Sequence, residues 1–257
     1  MSSQAGKQRN RFLLILALCG VLLYAAVILL SLKTTVTAEP MPSTPPSSSE
    51  VSSEQVSQPE PEPEPQRPKT DQELFENAAF IGNSCVERLH YQGFALDADF
   101  LSGVGLTVHS VYTTTPPRLK APVVDLLASD KKYDRIYVLF GINEVGNDPQ
   151  QFITQYGVFV DYLKAHQPQA TIYIQSILPV TRAKHEKNQY LVNNDNIRTF
   201  NALIQQMAQK KGVEFLDIYQ SMVDADGFLP DAASFDGVHL SKDYNQVWIN
   251  YLKENVK

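Results

Sequence analysis

From Asp71 onward, short apolar runs alternate with apolar stripes at helical spacing. This alternation is the strongest constraint on what the chain can fold into. Strand-like runs occupy Ala79–Ile81, Asp99–Ser102, Arg135–Phe140, Thr171–Ile177 and Val213–Asp217. Continuous apolar runs of this kind suit strands covered on both faces. Phe152, Tyr156, Phe159 and Leu163 make one helical face, and Ile197, Phe200, Ile204 and Met207 a second. Tyr244, Val247, Trp248 and Tyr251 make a third, with Ser241 placed as its N-cap. The order βαβα predicts an α/β domain of three layers on a parallel sheet, spanning 71–257. The second run, short and polar, and the long connection from Gly103 to Lys120 fit this pattern least well.

The first 70 residues have a different character. Residues 1–11 are polar and carry Lys7, Arg9 and Arg11. Residues 12–32 are uncharged and apolar, long enough to cross a bilayer as a helix, which takes about 20 residues. The basic flank predicts a cytoplasmic N-terminus, with the rest of the chain outside the cell membrane. The length favours a retained single-pass anchor; cleavage near Ala38, after Val36-Thr37, would instead release a secreted protein. Residues 33–70 are rich in Pro, Ser and Glu, with Pro-Glu repeated from Pro59 to Pro65. Such a segment builds no core and is expected to be a disordered, extended stalk.

A net charge of −6 on 257 residues argues against nucleic-acid binding. The two cysteines, Cys19 and Cys85, lie in the apolar N-terminal run and beside Ser84, so the domain is expected to fold without a disulfide.

In a parallel α/β sheet, sites form beyond the carboxyl ends of the strands. There the chain carries Gly82-Asn83-Ser84, Gly103-Val104-Gly105, Gly141-Ile142-Asn143-Glu144 and Asp236-Gly237-Val238-His239. Ser84 falls at a helix start, where a serine either caps the helix or sits beside free N–H groups that stabilise an anion. A serine hydroxyl needs a base, and a histidine needs a carboxylate to hold its tautomer. Asp236 and His239 lie three apart in a bent loop, placed to serve Ser84. The N–H groups of Ser84 and Gly105 and the side-chain amide of Asn143 are three candidate oxyanion donors. Each residue also has an ordinary reading: Gly105 as a turn glycine, Asn143 as a cap, Asp236 as an Asx turn, His239 as a satisfied histidine. Cys85, one residue further into the helix, points about 100° away and reads as packing. His109 and His185 stand outside these four blocks, His185 within the polar stretch 181–188, which reads as solvated loop.

The four blocks, in this order, resemble those of the SGNH hydrolases, the GDSL esterase/lipase family. Gly82-Asn83-Ser84 matches the first block, Gly105 the second-block glycine, Gly141-Ile142-Asn143-Glu144 the third and Asp236-x-x-His239 the last. Asn83 and Glu144 stand where the family usually has Asp. Gly103 rivals Gly105, which is preferred because Leu-Thr follows it. The resemblance implies a flavodoxin-like fold, a Ser84–His239–Asp236 triad, an oxyanion hole from Ser84, Gly105 and Asn143, and neither metal nor cofactor. It implies a serine esterase acting on short acyl esters, acetyl among them, of a carbohydrate or cell-wall polymer. An O-acyltransferase with the same triad and a non-catalytic module binding glycans or partners remain the alternatives.

Overall fold

The computed structural model describes residues 70–94, 96–188 and 191–256. The expected cytoplasmic segment, membrane span and all but the last residue of the stalk lie outside these residues. Among the described residues no helix is long and apolar enough to cross a membrane. Thr70, read as the end of the stalk, belongs to the domain. Its hydroxyl accepts the N–H of Glu73, and the Glu73 carboxylate takes the N–H of Thr70, a reciprocal cap on α1 (Asp71–Phe75).

Five parallel strands follow: β1 (Ala78–Gly82), β2 (Ala98–Ser102), β3 (Arg135–Leu139), β4 (Thr171–Gln175) and β5 (Glu214–Leu216). Their order across the sheet is β2-β1-β3-β4-β5, every neighbouring pair parallel. The chain therefore reverses its winding direction between β1 and β3, where ligands bind in sheets of this kind. The connecting helices are α2 (Ser84–Tyr91), α3 (Val123–Leu127), α4 (Pro149–His166), α5 (Arg182–Lys187), α6 (Asn194–Lys211), α7 (Ile218–Met222) and α8 (Lys242–Asn255).

Strand register builds the core directly. Phe100, Phe80, Tyr137 and Tyr173 are opposite one another on β2, β1, β3 and β4. Their rings stack in a row at centroid distances of 5.2, 4.7 and 5.3 Å. The short, polar second run is thus a true strand: Phe100 and Leu101 carry its packing. Alternation along the strands sends Phe140, just past β3, to the opposite face, where it meets Tyr156 and Phe159 of α4.

Several expected boundaries move. The apolar run through Ile177 overshoots β4, because Ile177 donates its N–H to the Asn201 side chain instead of the ladder. Hydropathy reports burial, which continues there; pairing does not. On α8 the buried face is Asn245, Trp248, Ile249 and Leu252, while Val247 is exposed. Ser241 is the N-cap residue but makes no side-chain cap bond. The stretch read as solvated loop after β4 forms α5, capped by the Thr181 hydroxyl on the N–H of Lys184.

Candidate active site

The end of β1 is built for close approach. A Cβ on Gly82 would lie 2.5 Å from the Leu139 carbonyl oxygen and from Val86 Cγ2, so only glycine lets α2 start hard against β3. The N-cap of α2 is Asn83, whose Oδ1 accepts the N–H of Cys85 at 2.9 Å. The ordinary reading of Ser84 as the capping side chain is therefore displaced by one residue. Its hydroxyl is left free for another partner, and its own N–H is among the first-turn donors with no intrahelical acceptor.

That partner is His239. The Ser84 Oγ lies 2.8 Å from His239 Nε2, and His239 Nδ1 lies 2.6 Å from Asp236 Oδ2. The two are 155 residues apart in sequence. The 236–239 loop folds on itself because Asp236 Oδ1 accepts the N–H groups of Val238 and His239 at 2.9 and 2.8 Å and the Ser234 hydroxyl at 3.1 Å. Burial raises the Asp236 carboxyl, but these donors and the His239 ring outweigh it and hold the group well below the usual carboxylate range. Asp236 is thus an Asx turn and the imidazole's partner at once, one oxygen for each. Gly237 supplies φ 81° at the bend, where a Cβ would meet Thr181 Oγ1 at 2.7 Å.

The loop is tied to the serine helix by residues the sequence reading missed. Arg88 Nε and Gln92 Nε2 both donate to the carbonyl of Leu240 at 3.0 Å. Arg88 also lies 4.6 Å from the ring centroid of Phe235. Arg88 is one turn after Ser84 on the same helix, a spacing that is visible in sequence; its acceptor is not.

The second and third blocks meet each other through side-chain hydrogen bonds. Gly103 cannot be an oxyanion donor, because its N–H goes to the Gly82 carbonyl at 3.2 Å. A turn follows, with the Leu106 N–H donated to Gly103 and Gly105 at φ 74°, where positive φ is required. Asn143 caps no helix: its amide donates to the Leu106 carbonyl at 3.0 Å, leaving the second amide hydrogen available. Glu144 accepts the Val108 N–H at 2.9 Å. Asn143 thus bonds the residue that follows Gly105.

The remaining candidates separate cleanly. Cys85 is 4% exposed, and burial, then the Asp236 charge, push its thiol up to about 12. It packs and does not attack. His185, on α5, accepts the N–H of Asn194 and lies edge-on to Phe228, a structural role. His109 is exposed and lines a cleft of about 450 Å³ with Thr107, Asn143, Asn147 and Gln151. Among the described residues no group of three or more His, Cys, Asp or Glu side chains is arranged to hold a metal ion.

Ser84, His239 and Asp236 thus lie in hydrogen-bond contact in a parallel α/β fold, an arrangement able to support a serine nucleophile. The model of the GDSL-like Lipase/Acylhydrolase family matches residues 86–247, more than half of the chain. The chain belongs to that family and is an ester hydrolase of SGNH type. The match begins two residues after Ser84, so the assignment does not depend on the first block. A search of curated proteins gives no match. Solved structures share the fold. A GDSL-like lipase from Bacteroides thetaiotaomicron is 17% identical, with a TM-score of 0.54, 74% of this chain and 90% of that one covered. An acetyl xylan esterase is 14% identical, with a TM-score of 0.52 over 70% and 99%. A carbohydrate esterase family 3 protein from Talaromyces cellulolyticus is 14% identical, with a TM-score of 0.52 over 70% and 96%.

Proposed function

We propose that this protein is a cell-surface serine esterase that removes short acyl groups, acetyl first among them, from a carbohydrate or cell-wall polymer. The observation that carries the reading is the unbroken relay from Ser84 Oγ through His239 to Asp236, at 2.8 and 2.6 Å. His239 Nε2 takes the Ser84 proton as Oγ attacks the ester carbonyl. The oxyanion is held by the N–H groups of Ser84 and Gly105 and by the Asn143 amide. As the tetrahedral adduct collapses, the leaving alcohol takes the proton from His239. Water then gives a proton to His239, attacks the acyl-serine and releases the acid, restoring Ser84. Asp236 keeps its charge throughout and holds the ring in one tautomer.

The side chains of His239 and Asp236 are 27% and 35% exposed, which gives water access to the acyl-enzyme. The carbohydrate reading draws on the acetyl xylan esterase and carbohydrate esterase among similar structures. The cell-surface reading draws on residues 12–32 as anchor and 33–70 as stalk.

The test is hydrolysis of p-nitrophenyl acetate and of acetylated xylo-oligosaccharide by the purified protein, with Ser84→Ala and His239→Ala alongside. Both substrates are expected to be cleaved by the wild type and by neither variant. Activity surviving in Ser84→Ala would refute the assigned nucleophile. Protease treatment of intact cells is expected to shed the domain from the surface.

A further inference from the structure

Glu144 is 7% exposed and follows Asn143 directly. Its Oε1 accepts the backbone N–H of Val108 at 2.9 Å, while Asn143 holds the carbonyl of Leu106 at 3.0 Å. Two consecutive side chains of the β3 loop therefore grip the segment after Gly105 at two points. The other bonds of that segment are local: the Gly103–Leu106 turn, and the Thr107 and Ser110 hydroxyls with their neighbouring N–H groups. The family usually carries Asp here. An Asp, shorter by one C–C bond of roughly 1.5 Å, would reach Val108 only if the segment moved toward β3. Among the described residues the other oxygen, Oε2, has no hydrogen-bond partner and is buried, and so is the Tyr156 hydroxyl of α4.

We propose that Glu144 is a positioning residue of the oxyanion hole: through Val108 it sets the place of the segment that carries the Gly105 N–H and the Leu106 acceptor of Asn143. The assignment rests on the serine-esterase function proposed above, since only that reaction needs those donors aligned.

The charge state of Glu144 adds a second consequence. Burial pushes its carboxyl up to about 7, against the nearby N–H groups of Val108, Gly141, Glu144 and Asn143. The titratable groups around it are Tyr156 from α4, and His109 and Asp148, which line the same cleft. As a neutral acid, Glu144 still accepts the Val108 N–H through its carbonyl oxygen. The grip on Val108 therefore persists in both charge states.

The experiment compares wild-type protein, Glu144→Gln and Glu144→Ala across pH 5.5–9. It reads kcat and KM on p-nitrophenyl acetate, the rate of Ser84 labelling by a fluorophosphonate, and amide exchange over residues 104–109. Glu144→Ala is expected to lose about tenfold or more in kcat, since small misplacements of reacting groups are costly, with KM changed by less than about threefold. Glu144→Gln keeps the acceptor and is expected to recover most of the rate across the range. Exchange over 104–109 is expected to quicken in the Ala variant only. An active wild type whose Glu144→Ala variant keeps its kcat and its amide protection overturns the positioning role alone. A folded wild type that neither hydrolyses the ester nor labels at Ser84 overturns the esterase reading, and the positioning role with it.

Discussion

Asn83 Oδ1 accepts the backbone N–H of Cys85 at 2.9 Å, so the helix that presents Ser84 is capped by the residue before the serine. The cap and the candidate nucleophile are adjacent but separate side chains. The amide nitrogen of Asn83 is buried and, among the described residues, has no hydrogen-bond partner, a cost the family's usual Asp would not carry in that form. Asn83→Ala is expected to lower stability by about 1 kcal/mol, the usual value of a lost cap. It should also lower kcat, because the first turn of α2 frays where Ser84 is held. Asn83→Asp keeps the acceptor and is expected to retain the cap. Denaturant unfolding and ester hydrolysis of the two variants check this.

Asp236→Asn is expected to reduce kcat by about three to four orders of magnitude, because the amide stabilises the wrong histidine tautomer. The same carboxyl bears on acid stability. Its folded-state pKa lies below the unfolded value of about 3.9, so its contribution is present above that pH and is lost as pH falls further. The melting-temperature gap between wild type and Asp236→Asn should therefore narrow below about pH 4. A gap constant from pH 7 to pH 2.5 would contradict the assigned hydrogen bonds.

Glu144 shows the opposite sign. Its pKa is raised from 4.5 to about 7, so the folded protein binds a proton that the unfolded chain has released. Stability then falls as pH rises from 4.5 toward 7, by an amount on the order of 3 kcal/mol for a shift of this size. Glu144→Gln removes the titration. Its unfolding free energy is expected to be flatter than wild type across that window, and higher at pH 7.5. Chemical denaturation at pH 5 and pH 7.5 gives the comparison.

Cys85→Ala is expected to leave ester hydrolysis within about twofold of wild type, since the thiol is buried and pushed up to about 12. The loss of a small buried side chain should cost about 1 kcal/mol. Iodoacetamide on the native protein is expected to leave Cys85 unmodified, as peptide mass mapping would show.

The pattern of Ala79–Ile81, Arg135–Phe140 and Thr171–Ile177 was sufficient to place strands, because buried parallel strands must be apolar along their whole length. It placed their ends less well. Ile177 stays buried after its N–H has left the ladder for Asn201, and hydropathy does not register that exchange. The polar second strand was legible only as a weak signal, since Asp99 sits at its exposed end while Phe100 carries its packing. On α8 the aromatic stripe pointed to the right helix with a rotated face: the buried Asn245, bonded to Gln92, has no hydrophobic signature.

The sequence by itself determined the α/β class, the family, and which few polar residues stand at the carboxyl ends of strands. These follow from local patterns: runs, helical spacing and short motifs that each lie within a dozen residues. Only the tertiary structure showed that the Gly103 N–H is committed to the Gly82 carbonyl across the sheet. It also decided that Asn83 caps α2, that Arg88 anchors the His239 loop at Leu240, and that Glu144 reaches Val108. Each of these is a hydrogen bond to a specific backbone group. Every residue offers such groups equally, so the residue's identity does not announce which one a side chain will meet. The chain's path through space selects it.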